Sequence, residues 1–98
     1  MAQPILQQAQ DLLDDLSEEY YAVREHPTPD ENALQQKTSA LKDIRNRIDG
    51  AGTRLIDLYS RIGSIFEKKR VISVRDGLLL GISFELQLNN ETLVKLKS

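Results

Sequence analysis

Through the middle of the chain, apolar residues recur at alternating steps of three and four: Leu34, Leu41, Ile44, Ile48, Ala51, Leu55, Leu58, Ile62, Ile65 and Ile72. With Leu34 at heptad position a, the a set is Leu34, Leu41, Ile48, Leu55, Ile62 and Lys69. The d set is Lys37, Ile44, Ala51, Leu58, Ile65 and Ile72. A sustained period of about 3.5 residues marks a helix that packs along another helix. It predicts a coiled-coil-like helix from Pro29 to Arg70, roughly 60 Å long at 1.5 Å per residue. Asp49-Gly50-Ala51-Gly52-Thr53 disturbs that pattern, because each interior glycine costs about 1 kcal/mol relative to alanine. Two readings follow: a break, with Gly50 ending one helix and Thr53 capping the next, or one helix bent or closely packed at the glycines. The heptad phase crosses the glycines without a shift, which favours the single helix.

Ahead of this stretch, Leu6, Ala9, Leu13, Leu16, Tyr20 and Val23 repeat the same spacing, with Ile5 and Leu12 widening the stripe. They predict a first helix over residues 4–25. Pro4 suits its first turn, where its missing N–H would have no partner. Pro27 ends it by driving His26 out of the α region. In His26-Pro27-Thr28-Pro29-Asp30-Glu31, Thr28 is placed as N-cap, Pro29 as N1 and Glu31 as N3. The result is a helical hairpin.

From Val71 the period reads differently. Val71-Ile72-Ser73-Val74 is short and rich in β-branched residues, and Asp76-Gly77 has the composition of a tight hairpin turn. Leu80, Ile82, Phe84, Leu86 and Leu88 alternate with Gly81, Ser83, Glu85 and Gln87. A three-residue loop at 89–91 sets Leu86 opposite Val94, Phe84 opposite Leu96 and Glu85 opposite Lys95. A last helix over 78–88 is the competing reading, but Leu80, Ile82, Phe84 and Leu88 would then surround its circumference. The expectation is therefore an α+β fold: a single domain over residues 1–98, with a helical hairpin followed by a three-stranded antiparallel meander at 71–97.

Charge adds an asymmetry to this plan. Residues 1–31 carry eight acidic side chains and one basic one, while residues 32–75 carry ten basic and four acidic, within a formal net charge of −2. Arg47, Arg54, Arg61 and Lys68 recur every seven residues on one flank of the seam, and Lys69 and Arg70 extend the run. A basic ridge of this kind can follow phosphates or an acidic partner. It can equally form interhelical ion pairs with the acidic first helix.

Other chemistry is sparse. There is no cysteine, which removes disulfides and cysteine-ligated metals,. The single His26 lies in a proline turn without an implied nucleophile. Asp11, Asp14, Asp15, Glu18 and Glu19 have helical spacing, not that of a calcium loop. Tyr20, Tyr21, Tyr59 and Phe66 read as packing residues. No apolar run approaches the ~20 residues of a membrane span, and Met1-Ala2-Gln3-Pro4 lacks the basic start of a signal peptide. These features predict a cytoplasmic, non-enzymatic protein without cofactor, metal or small-molecule substrate. Its expected work is protein–protein interaction or assembly, self-associating through Leu41, Ile44, Ile48, Leu55, Leu58, Ile62 and Ile65. The alternative is nucleic-acid binding or regulation through Arg47, Arg54, Arg61, Lys68, Lys69 and Arg70.

Overall fold

The computed structural model describes residues 3–97. Met1, Ala2 and Ser98 lie outside the described residues, and with them the start of the segment read above for a leader. Three α-helices follow in order: α1 (Gln3–Glu25), α2 (Glu31–Ile62) and α3 (Ile65–Lys97). The first helix buries Ala9, Leu13, Leu16 and Tyr20, with Leu6 and Val23 half-buried beside them.

The N-cap of α2 is Asp30, in extended conformation, whose carboxylate accepts the Ala33 N–H at 2.8 Å. This corrects the placement of the cap at Thr28. Asp is at least as good an N-terminal acceptor as Thr, and with Asp30 as the cap Pro29 lies ahead of the helix,. From there α2 runs unbroken through Gly50 and Gly52. At Gly52 the glycine is needed, because a β-carbon would stand 2.5 Å from Cδ of Arg75 and 2.8 Å from its Cγ.

The helix does not reach Arg70. It closes at Gly63, whose φ of +76° lies in the left-handed region. The amides of Gly63 and Ser64 both donate to the Tyr59 carbonyl, closing the C-terminal end of α2 on one acceptor,. The Ser64 carbonyl in turn accepts from the Lys68 amide and starts α3.

The expected α+β fold is overturned. Residues 71–97 form no meander; they belong to α3, and no strand occurs among the described residues. The physical reason lies in the register of the apolar residues. Leu78, Ile82 and Leu86 form one ladder at i, i+4 and i+8; Leu80, Phe84 and Leu88 form a second, offset by two residues. Two such ladders interleave into strict alternation, which mimics a strand, yet on a helix they occupy nearly opposite faces. Asp76-Gly77 and Asn89-Asn90, read as turns, are carried within the helix.

The α2 helix lies at the centre of the fold, with antiparallel neighbours on two sides. Glu19 meets Arg47 and Gln10 meets Tyr59 across α1 and α2, while Asn89 meets Thr38 and Arg75 meets Thr53 across α2 and α3. The molecule is a rod of 55 × 19 × 16 Å. Its most deeply buried large side chains are Leu16, Leu41, Ile44, Ile48, Leu55 and Ile82. Near its end the buried row on α2 passes through Gly52, Leu55 and Tyr59, leaving Ile62 exposed. A straight helix drifts away from a strict seven-residue repeat, and here the drift shifts the seam to Tyr59. No helix among the described residues is long and apolar enough to cross a membrane.

Candidate interaction surface

The inward ladder of α3 packs on α2: Ile82 is fully buried, Leu78 buried and Leu86 half-buried. The outward ladder is left largely in solvent. Leu80, Phe84 and Leu88 are 73 %, 60 % and 41 % exposed. Fourteen positions before Leu80, about four turns away, Phe66 continues the same side and is 90 % exposed. Isolated exposed apolar residues are ordinary, but a contiguous apolar row along one helix face marks an interaction site.

Beside this row the surface is concave. The same face carries Ser73 and Gly77 where the ladder spacing would place large residues. Together with Ser17, Tyr20 and Tyr21 of α1 they line a groove of about 480 Å³ between α1 and α3. A β-carbon at Gly77 would meet nothing within 4 Å, so the groove is open there. Tyr20 and Tyr21 are stacked at a tilt with ring centroids 5.1 Å apart, and the Arg24 guanidinium sits 5.1 Å from the Tyr21 ring centre. This arrangement gives the groove a stiff aromatic wall.

Among the other concavities, two lie between helices. One, of about 300 Å³, lies between α1 and α2 over Ala22, Ala33 and Ala40, with Glu19, His26 and Lys37 at its rim. The other, of about 340 Å³, is polar and lies at the opposite end, where the Gln10 amide donates to the Tyr59 hydroxyl and Asp14, Glu67 and Arg70 converge. His26 Nδ1 donates to its neighbouring Pro27 carbonyl at 3.1 Å, an exposed local contact. No group of three or more His, Cys, Asp or Glu among the described residues is placed to hold a metal ion.

The residues expected at an interface fall into two sets. Leu41, Ile44, Ile48 and Leu55 are buried in the chain's own core, filled from both sides by α1 and α3. Leu58 is half-buried, and Ile62 and Ile65 are exposed at the α2–α3 turn beside Phe66. In a strand, Leu80, Phe84 and Leu88 would share one face with Ile82 and Leu86; their i, i+4 spacing is the signal that identifies a separate helix face.

Three of the six basic residues of the ridge are engaged with carboxylates of the chain. Arg47 makes a two-pronged contact with Glu19, at 2.6 and 3.2 Å, and a second with Asp43 at 2.9 Å. The hydrogen bond to Glu19 is the main reason that the Arg47 guanidinium is held above its ordinary pKa, with the two carboxylate charges adding to it against a small loss of solvation. Arg61 pairs with Asp57 at 3.2 Å and Arg70 with Glu67 at 3.7 Å. Arg54 and Lys69 are exposed, and Lys68 is half-buried.

Comparison with protein-family models, with curated proteins and with solved structures finds no match to the chain.

Proposed function

We propose that the chain is a non-enzymatic protein–protein interaction module. It is a three-helix platform that presents the outer face of α3 to a partner. The observation that carries this reading is the exposed ladder Leu80, Phe84 and Leu88, aligned with Phe66. A helix with apolar rows on two opposite sides has its second row in water unless something covers it. The basic ridge supports a polyanion partner less well, because Arg47, Arg61 and Arg70 already lie against carboxylates.

The absence of cysteine from the sequence offers a clean test. Ser73→Cys places one thiol on the outer face with almost no change of shape. In dilute purified protein it should react with a maleimide as an exposed thiol does. In extract of its native cell the same thiol should react at least tenfold more slowly. Equal rates in extract and in purified protein at every concentration up to tens of micromolar would remove the reading.

A further inference from the structure

Beyond Phe66 in the first turn, small and large residues are segregated along the outer face of α3. The C-terminal half carries the knobs, Leu80, Phe84 and Leu88. The N-terminal half carries the hole, Ser73 and Gly77, set in the groove against α1. Exposed charges flank the row: Lys69 and Arg70 near one end, with Arg70 3.7 Å from Glu67, and Glu91 and Lys95 near the other.

These features make the face complementary to itself when reversed, and we infer that its occupant is a second copy of this chain, with the two α3 helices antiparallel. This rests on the reading of the outer face as a docking surface, and names the partner. About a twofold axis between Gly77 and Leu80, Leu80 of each copy lies over Gly77 of the other. Phe84 enters the groove at the other copy's Ser73, and Arg70 comes within reach of Glu91. A parallel pair would set Phe84 on Phe84 and glycine on glycine, and would place Arg70 against Arg70. A twofold interface uses one patch twice, so each favourable match is made two times. The contact row from Phe66 to Val94 is about 40 Å long at 1.5 Å per residue, and the two Arg70–Glu91 pairs fix orientation more than affinity.

The test uses the full chain. Sedimentation equilibrium from submicromolar to tens of micromolar should give a concentration-dependent dimer. Gly77→Gln fills the hole with a better helix former; it should give a monomer that melts no lower than the natural chain in its monomeric range. Arg70→Glu and Glu91→Arg should each weaken dimerisation by about tenfold, corresponding to two like-charge contacts of ~0.7 kcal/mol each. The double variant Arg70→Glu/Glu91→Arg should return to within about threefold of the natural chain, since reversed charges meet again across the twofold axis. Spin labels on Lys69→Cys should lie tens of ångströms apart in the dimer. A double variant as weak as the single ones, or labels at contact distance, would overturn the antiparallel pairing. A monomer at every concentration whose Ser73→Cys thiol is nonetheless protected in extract would overturn the second copy as occupant while leaving the docking surface intact. Protection gained only on adding phosphatidylglycerol vesicles would overturn it too, in favour of a lipid surface. A monomer with the thiol free everywhere would remove both inferences.

Discussion

Tyr20 lies across Gly81, its hydroxyl 2.7 Å from where a β-carbon on Gly81 would stand. The contact holds a buried phenol against bare backbone. Alanine at position 81 should gain about 1 kcal/mol of helix propensity and lose about 1–3 kcal/mol to overpacking. Gly81→Ala should therefore be neutral to destabilising in the natural chain. In a Tyr20→Phe background, with the clashing oxygen removed, the same change should stabilise. Urea unfolding of the four proteins gives the coupling; additive effects would count against the contact.

The two glycines near the middle of α2 should behave oppositely. Gly50 faces open space, whereas Gly52 lies under the Arg75 side chain. Gly50→Ala should stabilise by about 1 kcal/mol. Gly52→Ala must displace Arg75 and disturb its contacts with Thr53 and Asp76, at 3.4 and 3.2 Å. It should destabilise by about 1 kcal/mol once propensity and overpacking are both counted. Chemical denaturation midpoints that move in the same direction would contradict this geometry.

Helix capping separates Thr28 from Asp30. Because the Asp30 carboxylate accepts the Ala33 amide, Asp30→Ala should lower stability by about 0.5–2 kcal/mol. Thr28→Ala, in the exposed loop, should stay within about 0.5 kcal/mol of the natural chain. Thermal melts followed by circular dichroism would rank the two; a larger loss at Thr28 would place the cap where the sequence alone suggests it.

Ile82 and Phe84 are two residues apart and face opposite ways. Ile82 is fully buried and Phe84 mostly exposed. Ile82→Ala should cost about 2–5 kcal/mol. Phe84→Ala, measured at concentrations where the chain is monomeric, should cost under about 1 kcal/mol. A strand with both residues on one buried face would instead lose several kcal/mol at each.

The legible parts of this sequence are those with one apolar face. The α1 helix has a single stripe, from Leu6 to Val23, bounded by prolines, and its extent follows from period and punctuation together. The seam of α2 is legible from Leu34 to Leu55 for the same reason. Beyond it, Ile65 and Ile72 keep the heptad phase although they belong to the next helix, so periodicity hides the reversal. The punctuation does not: Gly63 follows the last turn of α2, and Ser64 with Glu67 three residues on has the spacing of a helix start,.

The third helix misleads because its two apolar ladders produce a period of two. Composition pointed the other way. Between Leu78 and Leu88 only Ile82 is β-branched, among leucines, Glu85 and Gln87 that favour helix,. The candidate surface is hidden by the same alternation, which merges its residues with those of the inward ladder.

Because α2 stands between α1 and α3, native contacts form mainly between helices adjacent in the sequence, each pair closed by a short connection. Such a topology has low contact order, and folding should be complete within microseconds to milliseconds. It also divides the chain kinetically. The α1 helix can leave by opening its own hairpin while α2 and α3 remain zipped, so amide exchange along α1 should outrun exchange at the centre of α2.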